Sequence, residues 1–162
     1  MKEVYELKNI IIEKGCIEDA DRPFKLRPIE ATEVLQFMET KDLEKGIRQS
    51  IEFSLREGCY FYRALCKHTG DLKFIMGLCP QEDSNIGVPW FLTSEDFKPD
   101  IDFIRGSREV ISKDMYVEGI KVLCNYIHKD NTKSIKWLKW LGFQFTPHPF
   151  LNDYFQFYRY KE

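Results

Sequence analysis

Between Cys59 and Tyr160 the chain switches repeatedly between two hydrophobic periods, and this order restricts its possible folds more than any other feature. "CYFYRALCK" and "DLKFIMGLC" have strand composition and are separated by His68, Thr69 and Gly70, the spacing of a hairpin. A polar loop, "PQEDSNIG", precedes a short third strand, "VPWFLTS", with Pro89 expected near its start or at a bulge. The pattern then turns helical in "IDFIRGSREVISKDM", where Ile101, Ile104, Val110 or Ile111, and Met115 offer a buried stripe and Asp100 a cap. "IKVLCNYIH" returns to strand, "NTKSIKWLKWLGF" to helix, and "FQF" and "YFQFYRY" alternate as the arms of a terminal hairpin around "TPHPFLND". A hairpin followed by strand–helix alternation predicts an α/β fold, a mixed and mostly antiparallel sheet with helices on both faces.

The region before Cys59 is less explicit. "VYELKNIII" is β-prone, "EDADRP" reads as a turn, and "FKLRPI" predicts a short edge strand halted by Pro28. Val34, Phe37 and Met38, then Leu43, Ile47, Ile51 and Leu55, follow at helical spacing, which predicts two helices or one broken near Thr40, ended by Gly58. At 162 residues the simplest reading is one domain over 1–162, with residues 1–28 as its least defined segment.

Charge and cysteine usage narrow the function. With 24 basic against 26 acidic residues, no global field draws the chain to polyanions, so nucleic-acid binding would need a local patch. Cys16, Cys59, Cys66, Cys79 and Cys124 form no CxxC pair and are expected as mostly buried free thiols in a reducing compartment. His68, His128 and His148 are expected in exposed loops, with no metal site. No apolar run reaches membrane-spanning length and no signal pattern is present, which predicts a cytoplasmic protein.

Asn131 to Phe145, "NTKSIKWLKWLGFQF", looks at first like a basic aromatic patch. At about 100° per residue, Ile135, Trp137, Leu138 and Leu141 share one broad face with Ser134, while Lys133, Lys136 and Lys139 lie opposite. Most of it is therefore a core helix with solvated lysines. Trp140 projects among the lysines, either folding back against neighbouring structure or meeting a ligand or protein.

The same stretch resembles the last motif of the acetyl-CoA-dependent GNAT N-acetyltransferase superfamily. Asn131 matches that motif's asparagine, Ser134 its small residue, and Trp137 its leucine. Leu138 stands at its tyrosine, Trp140 at its lysine, and Gly142 and Phe143 at its terminal pair. More narrowly, "SREVI", "NYIHKDN" and "IKWLKWLGF" are similar to tailed-phage proteins described as GNAT-like or internal virion proteins. The resemblance implies acetyl-CoA between the strand of Trp90–Thr93 and that of Val122–Ile127, an amine substrate, and localisation in the host cytoplasm or the virion. It names Glu95 or Asp96 as general base, against a solvated or capping role for each. Thr93, Asn125, Asn131 and Arg105 become cofactor-binding candidates; Asn131 also serves as a helix cap, and Arg105 with Arg108 as surface ion-pairing groups.

Two departures keep a second reading open. The family's glycine-rich pyrophosphate loop is replaced by "EDFKPDI", with Asp96 and Asp100 among its residues. Leu138 cannot protonate a leaving thiolate as the family's tyrosine does, which leaves Tyr116 or Tyr126 as substitutes. A catalytically degenerate member serving as a virion-associated or protein-binding module satisfies the same sequence. Nucleic-acid binding through Lys133, Lys136, Lys139 and Trp140 is a third and weaker reading.

Overall fold

A computed structural model describes all of residues 1–162. Eight strands form one sheet: β1 (Val4–Glu6), β2 (Ile10–Lys14), β3 (Tyr60–Cys66), β4 (Leu72–Pro80), β5 (Ile86–Thr93), β6 (Val122–His128), β7 (Gln144–Pro147) and β8 (Tyr154–Tyr160). Four α-helices accompany them: α1 (Pro28–Phe37), α2 (Leu43–Ser54), α3 (Ile101–Glu109) and α4 (Thr132–Trp140). The sheet order is β1-β2-β3-β4-β5-β6-β8-β7. Every pairing is antiparallel except β5 with β6. The expected mixed, mostly antiparallel sheet is what forms.

Strand alternation divides the buried side chains between two faces. Ile10, Ile12, Tyr62, Ala64, Phe74, Met76 and Leu78 pack with Phe103, Ile111 and Leu138 of the α3/α4 layer. Phe61, Ile75 and Leu92 face the other way and meet Val34 and Ile51 of α1 and α2. Helices thus cover both faces.

Local chemistry sets the element ends. Asp42 caps α2 through Lys45 N–H at 3.2 Å, and Asp100 caps α3 through Phe103 N–H at 2.8 Å. Gly70 (φ 75°) turns the β3–β4 hairpin and Gly142 (φ 90°) stops α4, both in the left-handed region that glycine enters without strain. After α3 the helix widens through Val110–Asp114, where Met115 N–H reaches back to Val110 O at 3.0 Å. This turn delivers Val110, Ile111 and Met115 into the core.

Several expectations are corrected here. Pro28 does not halt a strand; it opens α1, where its missing N–H is harmless, and Leu26 makes only an isolated bridge to Ser94. The expected turn at "EDADRP" contains a 3₁₀ helix over Ile17–Asp21. α2 ends at Ser54, so Gly58 serves the following turn instead. Of the stripe expected in α3, Val110, Ile111 and Met115 are buried, but Ile101 is 60% exposed and Phe103 takes its place in the core. Of the five free cysteines only Cys79 is buried, and Cys16 is exposed. His128 is a half-buried member of β6, and the half-buried His148 accepts the N–H of Leu151 at 2.9 Å.

Gly77 tests the tightness of the α2-facing side. A Cβ there would lie 2.0 Å from Trp90 Nε1, whose N–H donates to Ser54 Oγ at 2.7 Å. Gly77→Ala is expected to expel the indole, break that bond and lower stability by about 1–3 kcal/mol, read as a lower urea midpoint at unchanged m.

Candidate functional site

β5 and β6 pair in parallel through only Ile86–Val122 and Gly87–Leu123, after which they separate. β4 stays with β5 along its whole length, and β8 with β6. The sheet therefore opens as a wedge at its centre. A cleft of about 770 Å³ passes through that wedge, from the α1/α2 face to the α3/α4 face. This volume falls within the usual range for small-molecule sites.

Asn125 sits at the apex. Its amide donates to Pro89 O at 2.7 Å and its oxygen accepts Tyr126 N–H at 2.8 Å, so one side chain bridges the diverging strands. Backbone direction on β5 follows from its other bonds. Ser94 N–H reaches Lys73 O on β4, while Thr93 N–H turns the opposite way to Glu30 Oε2 at 2.9 Å. By strand alternation Phe91 N–H also points away from β4, into the wedge. Pro89 has no N–H, so Phe91 is the β5 donor best placed to meet a carbonyl there.

A buried polar cluster forms the floor. Arg27, just before α1, donates to Glu30 Oε1 at 2.7 Å, to Ser134 Oγ at 2.7 Å and to Asn131 Oδ1 at 3.4 Å. Its Nε is buried without a partner. Asn131, 3% exposed, donates to Glu33 Oε1 at 2.6 Å and makes no cap bond to α4. The expected capping role is thereby corrected: α1 claims the side chain first.

Glu33 lines the cleft. Burial raises its pKa from 4.5 to about 7; the Asn131 hydrogen bond opposes this shift, and the neighbouring Glu30 carboxylate adds to it. A carboxylate titrating near neutrality inside a cleft suits a general base. Glu33 was not among the expected site residues. Its signal was present, because Glu30 and Glu33 occupy the same helical face as Val34 and Phe37, an apolar stripe interrupted by two acids.

The expected residues separate into two groups. Thr93, Glu95, Asn125 and Asn131 line the cleft, although Glu95 is exposed and paired with Lys25 at 3.1 Å. Asp96 lies outside it, bound by Ser94 Oγ and by Lys73 Nζ at 3.0 Å, and these bonds hold its carboxyl below the usual range. Arg105 is exposed on α3, away from the cleft lining and without an ion pair. Tyr126 lines the cleft; Tyr116 donates to Arg159 O at 3.0 Å in a buried site elsewhere. Leu138 is 1% exposed and supplies apolar lining only.

The amino-terminus of α3 is occupied by the chain itself. Asp100 takes the Phe103 N–H through one oxygen and the Asn9 amide through the other, at 2.8 Å each. Asp102 accepts Lys8 N–H at 2.6 Å. Asp100 thus takes up a first-turn amide of the kind that otherwise attracts a phosphate, and Asp102 adds a second negative charge to the same helix end. The cations lining the cleft are Lys98, Lys133 and the ion-paired Arg27.

No protein-family model matches the chain, and no curated protein matches its sequence. Solved structures do match its fold. The ribosomal-protein-S5-alanine acetyltransferase from Vibrio fischeri is similar over 99% of this chain and 98% of its own, with a TM-score of 0.66 at 12% identity. The GNAT domain of S. lividans PAT gives 0.69 at 13% identity, over 97% of this chain and 95% of that domain. RimL, a ribosomal L7/L12 alpha-N-protein acetyltransferase solved with coenzyme A, gives 0.65 at 11% identity, over 98% of both chains. The chain has the fold of the GNAT acetyltransferases.

Proposed function

We propose that the protein is an N-acetyltransferase that takes an acetyl group from a pantetheine thioester, acetyl-CoA in the first instance, and passes it to a primary amine. The observation that carries this reading is the open wedge between β5 and β6, with the Phe91 N–H turned into it and the Glu33 carboxylate lining the same cleft. The wedge suits the narrow pantetheine arm. Lys98 and Lys133 suit phosphate at the α3/α4 end.

Phe91 N–H polarises the thioester carbonyl and stabilises the oxyanion. Glu33, held by Asn131, accepts the proton of the attacking amine directly or through one water. The nitrogen–carbon bond forms as the carbon–sulfur bond breaks, and the departing sulfur takes up a proton. Leu138 cannot supply it; the Tyr126 hydroxyl is the acid available in the cleft.

A second reading is favoured by one observation: Asp100 and Asp102 stand at the α3 amino-terminus where phosphate would otherwise bind. On that reading the fold is kept as a protein-binding module, and the likeness to phage virion proteins makes a virion the place to look for it. Calorimetry separates the two. Acetyl-CoA is expected to bind with Kd below about 1 mM, about 4 kcal/mol of binding free energy. No heat at millimolar ligand sinks the enzyme reading and leaves the module. Phe91→Pro removes the proposed donor N–H along with the ring that meets Phe74 and Trp137, so Phe91→Leu, which keeps the N–H, serves as its control: turnover is expected to fall about 10²-fold further in the proline variant than in the leucine variant.

A further inference from the structure

We infer that the acyl donor is delivered on the phosphopantetheine arm of a small acidic carrier protein, which docks on the lysine face of α4 beside Arg108 of α3. This inference rests on the thioester reading above and names the donor for that same cleft.

The first argument is phosphate supply. Coenzyme A presents a diphosphate and a 3′-phosphate beyond its pantetheine, and each needs amides or cations. Here the Phe103 amide of the first turn of α3 is engaged by Asp100, whose carboxyl is held low by that N–H and by the Asn9 amide, so an anion at this helix end would meet a carboxylate. Asp96 and Asp102 add negative charge to the same loop and helix end. The unpaired cations of the cleft are Lys98 and Lys133 alone. Two lysines match the single phosphodiester of a carrier-bound arm better than the larger anionic tail of the nucleotide.

The second argument is the surface around the mouth. Lys98, Arg105, Arg108, Lys133, Lys136 and Lys139 are all exposed, and none forms an ion pair. α4 contains no acidic residue. Lys133 and Trp137 line the cleft, so the lysine side of α4 begins at its rim. Trp140 lies on that side, 44% exposed, with the Arg108 guanidinium 5.1 Å from its ring centroid. Lys133, Lys136 and Lys139 on one side of α4, with Arg108 against Trp140, form a patch of four unpaired cations that starts at the cleft rim, and this patch is complementary to an acidic partner. An exposed Trp with Arg is also a common anchor pair at interfaces. Transfer then follows the same balance: the amide bond forms, the carbon–sulfur bond breaks, and the thiol stays on the carrier's arm.

Calorimetry on the full chain tests this with four probes: coenzyme A, free 4′-phosphopantetheine, and a bacterial acyl carrier protein in holo and apo forms. Coenzyme A and phosphopantetheine are expected to bind within about threefold of each other, and the holo carrier at least about tenfold tighter than either. Added salt should erode the carrier's advantage. Combined Arg108→Glu, Lys136→Glu and Lys139→Glu should remove it and leave phosphopantetheine unchanged, since these exposed side chains do not line the cleft. Coenzyme A binding about tenfold tighter than phosphopantetheine overturns the proposal while leaving the acetyltransferase reading intact. A holo carrier no tighter than the apo form overturns it too, as does salt-dependent retention of nucleic acid by the same face in place of the carrier. Failure of every pantetheine probe removes the proposal together with the reading beneath it.

Discussion

Glu33→Gln is expected to reduce turnover by about 10²–10⁴-fold while donor affinity stays within a few-fold of the parent, because general-base contributions have that size and the amide keeps the shape. The bond from Asn131 is to Glu33 Oε1, which the amide oxygen of glutamine preserves. The pH profile distinguishes loss of a base from a structural effect. In the parent, kcat/KM should rise with pH and level off above about 7, where Glu33 is ionised. In the variant that limb should vanish. An unchanged profile with a uniform drop would assign the residue a merely structural role.

The same replacement has a stability signature of known sign. Burial raises the folded-state pKa of Glu33 from 4.5 to about 7, so the folded state holds its proton more tightly than the unfolded chain does. The associated stabilisation is full below 4.5 and is lost as pH rises through about 7. The displacement corresponds to roughly 3 kcal/mol, an upper figure for a group that keeps some solvent contact. Glu33→Gln should therefore be more stable than the parent at pH 8 and gain little at pH 4, as checked by urea midpoints at the two values.

Arg27→Ala is expected to produce the largest loss of stability, about 3–5 kcal/mol, because it leaves a buried carboxylate without its cation. Glu30 is 3% exposed and joins Arg27 at 2.7 Å to Thr93 N–H at 2.9 Å, so α1 is tied to the end of β5 through this one acid. Ser134 and Asn131 lose a donor as well, which unfastens α4 from the same corner. Arg27→Met combined with Glu30→Gln should recover most of the loss, since the charge disappears with its partner and glutamine still accepts from Thr93. Lys25→Ala provides the contrast: its pair with Glu95 is solvent-exposed, and its removal should change stability by less than about 1 kcal/mol. Equal losses from Arg27→Ala and Lys25→Ala would show that the buried pair has no special weight.

Most of the fold was legible because it rests on local rules. The β3–β4 hairpin, α4 with its glycine stop, and the β7–β8 arms all follow from hydrophobic period and turn chemistry, which act over a few residues. The misread positions share another cause. Pro28 is compatible both with a strand end and with a helix start, and only the packing of Val34 against Ile51 and Leu92 selects the helix. Ile101 and Phe103 both fit a helical stripe; the placement of Phe103 against Phe74 and Phe97 decides which is buried.

The site divides in the same way. By itself the sequence determined that a helix beginning near Asn131 and ending at Gly142 would follow a strand, and that its lysines would face water. It also determined the two departures, Leu138 and the glycine-free "EDFKPDI", since these are matters of residue identity. Only the tertiary structure decided which acid could serve as base. Asp96 follows the central strand directly, yet Lys73 and Ser94 hold it outside the cleft. Glu33 lies 98 residues from Asn131 in the chain, yet the two side chains meet at 2.6 Å. Burial and a partner from another element set its protonation, and neither exists until α1 closes over the wedge between β5 and β6. Helical phase depends on a residue's neighbours in the chain, whereas a pKa near neutrality depends on its neighbours in space.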